Sequence, residues 1–324
     1  MFAFIIRRLV QAVFVIFVIS ILAFAIKQNV GDPVREMTGM SVSKAEREAF
    51  RDKLGLNDPL AVQYIRFARN ALHGDLGNSF FYKRPAVDVI LSKAPATIEL
   101  VFVTALIVIG LSVPLGVYSA IYPKRFFSRL LMGGSIVGVS IPVFLTAIVL
   151  IYIFSIKLGW LPSYGRGELV KLGGWQTGML TLDGWKHLVM PGIALSSIML
   201  PLFIRLIRSE MMEILESEYI KYAWAKGLTK KRVWFVHAFK NTLLPVITVG
   251  GVQLGITIAF TILTETVFQW GGLGFLFMEA VERADVSLLV AYLMFVGCIM
   301  VGVNTVVDVI YGLVNPTIRI TGAK

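Results

Sequence analysis

Runs of apolar residues long enough to cross a lipid bilayer recur along this chain, and they constrain its fold more than any other feature. A transmembrane helix needs about 20 mostly apolar residues to traverse a ~30 Å hydrocarbon core. Six stretches qualify, roughly 9–26, 97–121, 130–156, 188–204, 243–264 and 288–313. The fourth is the least regular, because Pro191 and Pro201 are expected to shorten or bend it. The first follows Arg7 and Arg8, and its Ala23-Phe24-Ala25 looks like a signal cleavage site. Its apolar stretch exceeds a signal core of roughly 7–15 residues, so it reads as an uncleaved anchor.

Composition supports a bilayer over bulk water. Only 16% of the 324 residues are charged, against about 25% in soluble domains, and mean hydropathy is +0.77. The net charge of +11 suits either nucleic acid or an anionic membrane face. The basic residues cluster beside apolar runs, which selects the membrane and argues against nucleic acid. The single cysteine, Cys298, lies in an apolar segment and reads as a small packing residue, with no disulfide and no metal site.

Orientation follows from Lys and Arg in the short loops. Arg7 and Arg8 precede the first span; Lys124, Arg125 and Arg129 lie in 122–129; eight basic residues lie in 205–243. The segment 265–287 holds Arg283 against Glu265, Glu279, Glu282 and Asp285. Both termini and the 205–243 loop are therefore expected to face the cytoplasm. The expected organisation is a tail and first span over 1–28, an external segment over 29–95, a membrane core over 96–318 and a cytoplasmic tail over 319–324. Within the external segment, 43–56 and 60–72 read as short amphipathic helices. They form either a cap over the bundle or a docking surface for an external partner.

The cytoplasmic loop carries a sharper pattern. From Ser209 to Lys226, apolar residues recur at helical spacing (Met212, Leu215, Tyr219, Tyr222, Ala223). Gly227 suits the position just past a helix end, and Thr229 suits the start of the next helix. A short exposed helix of this kind can press into a groove on a soluble partner, or lie on anionic lipid.

Catalytic patterns are absent from the sequence. It contains no phosphate-binding G-x-x-x-x-G-K-[ST] loop, no G-x-S-x-G elbow and no H-E-x-x-H helix. Trp270-Gly271-Gly272-Leu273-Gly274 reads as a tight external turn. Polar residues in or beside spans are Glu99, Gln253, Glu265, Asn304 and Asp308. Such groups usually face a bundle interior or an aqueous path, which makes these five the candidates for a translocation path. Asp308 is expected to pair with Arg205 or Arg208. Gly251-x-x-x-Gly255 permits close helix contact.

Glu218-Tyr-Ile-Lys-Tyr-Ala-Trp-Ala-Lys-Gly-Leu-Thr229 resembles the A-x-A-x-G loop of binding-protein-dependent ATP-binding-cassette permeases. Val236-His-Ala-Phe-Lys-Asn-Thr-Leu-Leu-Pro245 is similar to its continuation in the dipeptide/oligopeptide/nickel branch. Further matches are Gly31-Asp-Pro33, Leu54-Gly-Leu56, Gly74-Asp-Leu-Gly77, Leu158-Gly-Trp-Leu-Pro162, Val314-Asn-Pro316 and Thr264-Glu-Thr-Val-Phe-Gln-Trp-Gly-Gly-Leu-Gly274. In the last of these, Gly271 stands where the branch usually has proline. Lys221-Tyr222-Ala223 occupy the place of Glu-Ala-Ala in the family's general pattern, so the acidic residue is missing there.

The resemblance implies an all-α integral membrane protein with the type I ABC importer permease fold and about six transmembrane helices. It implies contact with an ATPase through Glu218, Tyr222, Ala223, Ala225, Lys226, Gly227 and Leu228. The implied partners are a second homologous permease, two ATP-binding-cassette subunits and an extracytoplasmic solute-binding protein, in a bacterial inner membrane. ATP and Mg would be bound by the ATPase subunits, with no cofactor in this chain. The implied activity is alternating-access import of di- or oligopeptides or similar small solutes. The competing reading is a secondary transporter driven by an ion gradient, although no inverted repeat is apparent in the sequence.

Overall fold

The computed structural model describes residues 2–29, 48–49, 52 and 55–314. In chain order the elements are α1 (Phe2–Asn29), α2 (Leu60–Leu72), α3 (Ala86–Ile121), α4 (Phe126–Ser140), and α5 (Val143–Leu150) with a π-helical continuation (Ile151–Lys157). Strands β1 (Val170–Leu172) and β2 (Trp175–Thr177) follow, then α6 (Leu182–Glu216) and α7 (Glu218–Ala225). The last elements are α8 (Lys230–Arg232) with a π-helical continuation (Val233–Ala238), α9 (Phe239–Val267), α10 (Leu273–Glu282) and α11 (Val286–Val314).

Among the described residues, five stretches are long and apolar enough to cross a membrane: Ile6–Gln28, Ala86–Ile121, Leu182–Glu216, Lys230–Ile258 and Val286–Val309. Counting α4 and α5 as one broken span makes six. The expected single span over 130–156 is corrected here, because its two halves meet at 103°. Pro142 is the cause. A residue before proline is pushed out of the helical region, and Ile141 sits at ψ 121. Pro191 and Pro201 behave differently: both are buried inside a continuous 35-residue α6, which they do not shorten.

The chain divides into two compact units. One comprises Phe2–Pro95 and Gly271–Gly302. In it, Ala23 of α1 and Phe67 of α2 join Val286, Val290 and Met294 of α11 in one apolar cluster. The Tyr64 hydroxyl lies 2.7 Å from Ser20 Oγ, and its ring meets Phe24 edge-on. The helix expected over 60–72 is thus present as α2, while most of 43–56 lies outside the described residues.

A polar clamp fixes the loop before α3 in the same unit. Buried Asp285 caps α11 by accepting from the Leu288 amide at 3.1 Å. It also accepts from Ser79 Oγ at 2.5 Å and the Phe81 amide at 3.2 Å. Tyr82 donates its phenol proton to Glu279 Oε2 at 2.5 Å. Burial, then that bond to the Glu279 carboxylate, pushes the Tyr82 pKa from 10.0 up to about 12. A raised phenol pKa means that the fold favours the neutral form. Its contribution is complete below pH 10 and is lost as pH rises through about 12. Tyr82→Phe is expected to cost about 1 kcal/mol, and the wild-type-minus-variant tyrosinate titration should place the missing transition near pH 12. A missing transition near 10 contradicts the clamp.

The other unit comprises Ala96–Trp270 and the chain from Val303 onward, with α6 at its centre against α4, α5 and α9. Gly251 of α9 packs so closely on Val307 of α11 that a Cβ there would overlap the valine methyl groups. The close contact anticipated at Gly251 is therefore present. The segment Gly271–Leu273 turns tightly, with Gly271 at φ +70 before α10 begins.

Candidate functional site

The anticipated loop helix is formed, with its boundaries shifted. The helical pattern expected to run from Ser209 to Lys226 breaks at Ser217, whose ψ of 151 ends α6 and starts α7. Ser217 Oγ donates to the Ile214 carbonyl at 2.6 Å, a local bond that competes with helix continuation. The eight residues of α7 then divide by face. Ile220 and Ala223 are buried in a cluster with Val117 and Ala120 of α3, Ile207 and Met211 of α6, Val233 and Ala238. On the other face, Tyr219 and Tyr222 are 50% and 63% exposed, and Glu218, Ala225 and Lys226 are also exposed.

The helix stops through paired backbone bonds around a left-handed residue. Gly227 N donates to Trp224 O at 2.9 Å, and Leu228 N donates to Ala223 O at 3.4 Å. This geometry needs positive φ at the residue after the cap, and Gly227 sits at φ +75. Leu228 folds back and packs against the α7 cluster, which completes the stop. Thr229 then adopts ψ 149 and opens the next helix, as the sequence suggests. Gly227 and Thr229 were therefore legible as punctuation.

Side chains order the exposed face further. Tyr219 Oη lies 2.6 Å from His237 Nδ1, which ties α7 to the π-helical turn before α9. The Lys226 ammonium lies 4.6 Å from the centre of the Tyr222 ring. Glu218 and Lys221 pair at 2.6 Å, but both are largely solvated and contribute little to stability. The result is a short, rigidly mounted helix that presents aromatic rings outward. Large apolar rings held at low entropic cost are what a protein interface uses as anchors.

The five candidate path residues do not gather in one place. Glu99 and Glu265 are buried at opposite edges of one network. Glu99 accepts from Arg166 at 2.8 Å, from Trp175 Nε1 at 3.1 Å and from the Gly178 amide at 3.5 Å. Glu265 accepts from Thr97, two residues before Glu99 on α3. The Arg166 guanidinium also lies 5.7 Å from the Trp270 ring, and Trp270 donates to Ala96 O at 2.8 Å. This network fastens the β1–β2 hairpin and the turn after α9 to the start of the α3 span. Gln253 and Asp308 are half-buried and Asn304 is exposed, on α9 and α11. Sequence reasoning did not anticipate Arg166, Trp175 and Trp270, because no local periodicity links them to Glu99.

Two family models together cover nearly the whole chain. The model described as "Binding-protein-dependent transport system inner membrane component" matches residues 112–320, and its N-terminal counterpart matches residues 1–101. The di/tripeptide transport system permease protein of Pseudomonas aeruginosa is 36% identical, over 98% of this chain and 99% of that protein. The oligopeptide transport system permease protein of Bacillus subtilis is 35% identical, over 98% of this chain and 100% of that protein. A glutathione transport system permease protein of Escherichia coli is 31% identical over 98% of this chain and 99% of its own length. Among solved structures, an inward-facing MetNI methionine ABC transporter chain shares the fold with a TM-score of 0.55. That match has 16% identity and covers 70% of this chain and 96% of the other.

Proposed function

The chain belongs to the binding-protein-dependent transport system inner membrane components, and from that premise we propose that it carries peptides across the membrane with α7 as its point of drive. It is a multi-pass inner-membrane permease of an ATP-driven importer, and the ATPase is a separate subunit. Membership of that family displaces the ion-gradient reading.

The finer assignment rests on the outward face of α7. We assign Tyr222, Ala225 and Lys226 to direct contact with the ATPase, with Glu218 flanking. Ala223, Gly227 and Leu228 hold the helix in position. Two ATPase subunits binding ATP and Mg would close and displace α7. The buried side of α7 packs on α3 and α6, so its displacement would reach the spanning helices directly. A change in contacts between two states is what such coupling requires. A second, different permease would complete the path, and an external binding protein would deliver the solute. The solute class is di- or oligopeptides or similar small molecules. The names of the aligned relatives support this class, since they are permeases of di/tripeptide, oligopeptide and glutathione transport systems.

The test is co-purification from native membrane in mild detergent, with ATPase activity assayed on the eluate. A second permease and two ATPase subunits should co-elute, with hydrolysis stimulated by a peptide-loaded binding protein. A chain that elutes alone from intact membranes, with controls that exclude dissociation, contradicts the proposal.

A further inference from the structure

Helix α4 and the cytoplasmic half of α6 flank an open pocket of about 510 Å³, lined by Met132, Ile136, Arg205, Arg208, Ser209 and Met212. Its residues fall on one stripe of each helix: 205, 208, 209 and 212 on α6, and 132 and 136 on α4. Asp308, the partner expected for these arginines, does not line it. The pocket has two different walls. Two guanidinium groups and the Ser209 hydroxyl supply donors, while Met132, Ile136 and Met212 supply apolar surface. Arg208, on its wall, has its Nε buried with no hydrogen-bond partner among the described residues. Two guanidinium groups on one pocket wall, with no carboxylate among the lining residues, call for an anionic acceptor.

The depth of the pocket identifies that acceptor. Arg205 is the first charged residue after the apolar run of α6, so it stands where hydrocarbon gives way to headgroups. The positive flanks at Lys124, Arg125 and Arg129 put this end of α4 on the cytoplasmic side. The outward face of α4 is apolar, with Leu130, Ile136 and Val137 about 60% exposed (57%, 63% and 61%). Such a face suits acyl chains. The geometry points to a binding site for an anionic phospholipid, with its phosphate forked between Arg205 and Arg208 and its upper acyl chain along Met132, Ile136 and Met212. Guanidinium groups match phosphate oxygens bidentately, and basic pockets between spans on the cytoplasmic side suit anionic headgroups. The lipid would brace α4 against α6 one helical stretch away from α7. It would not enter the transport reaction itself, so the site stands independently of the solute assignment.

The experiment uses the assembled transporter, delipidated in detergent and equilibrated with vesicles of phosphatidylcholine containing phosphatidylglycerol. Lipid bound per complex is then counted by mass spectrometry. Wild type should retain phosphatidylglycerol in excess over phosphatidylcholine. R205Q/R208Q should lose about tenfold or more of that excess. R205K/R208K should keep part of it, because charge survives without the fork. Should R205Q/R208Q fail to assemble, Ile136→Trp fills the apolar wall without touching a charge and should reduce retention in the same way. Inorganic phosphate should not displace the bound lipid. Equal phosphatidylglycerol retention by wild type and an assembled pocket variant, or displacement by phosphate alone, overturns the proposal.

Discussion

Gly227→Pro is expected to cut binding-protein-stimulated uptake severely while ATP hydrolysis by the complex continues at its unstimulated rate. The cause is local. Proline holds φ near −65°, whereas Gly227 sits at φ +75. It also removes the amide that donates to Trp224 and disfavours the helical cap conformation of Lys226, now at φ −74 and ψ 1. Together these cost roughly 2–4 kcal/mol, from about 1–3 for backbone strain and about 1 for the lost bond. The stop unwinds, Leu228 leaves the cluster, and α7 loses its fixed mounting. The expected fall in uptake is roughly tenfold or more, the scale of a coupling free energy of 1–3 kcal/mol. Gly227→Ala is the graded control, since alanine in the left-handed region costs roughly 1–2 kcal/mol and keeps the amide that donates to Trp224. Uptake into vesicles and ATPase assays on the same preparation separate coupling from folding. Normal uptake by Gly227→Pro contradicts the role given to this stop.

Glu99→Ala is expected to act on stability instead. Glu99 is 2% exposed and its partner Arg166 is 13% exposed, so removing the carboxylate leaves a guanidinium buried against Trp270. Removing one partner of a buried pair costs about 3–5 kcal/mol, most of it from the charge left behind. The Gln176 carbonyl, 2.9 Å from Arg166, offsets a small part. Glu99→Ala/Arg166→Met should therefore be less destabilised than the sum of the single changes. Thermal unfolding of the purified complex measures the cost. Trypsin provides a local readout, because Lys171 lies on the hairpin that the pair holds in place. Cleavage there should accelerate in Glu99→Ala and recover in the double variant. Additive losses with unchanged cleavage contradict the latch.

The parts of the fold that were legible are those set by short-range rules. Apolar run length places the spans, because crossing hydrocarbon is a requirement on consecutive residues. Gly227 and Thr229 were readable for the same reason, since each reports a backbone conformation at its own position. Proline was less informative. The same residue breaks the chain at Pro142 and is absorbed at Pro191 and Pro201. The outcome depends on what packs around the freed carbonyls, which no local window contains. The break at Ser217 was hidden because apolar spacing continues across it. The Glu99 network was illegible for a further reason: Arg166 is 67 residues away and Glu265 lies beyond five intervening helical segments. A polar residue in a span signals that a partner exists without naming it.

The central claim is that the exposed face of α7 meets the ATPase. The sequence has one cysteine, Cys298, so a Cys298→Ser background allows a single reactive thiol to be placed at will. Tyr222→Cys, labelled with a short photoreactive thiol reagent in native membranes, should cross-link to an ATPase subunit, with a yield that changes when ATP is added. Lys171→Cys on the hairpin should give no such product. A Tyr222→Cys label that reacts only with lipid, in membranes where the ATPase subunits still co-purify with this chain, contradicts the account.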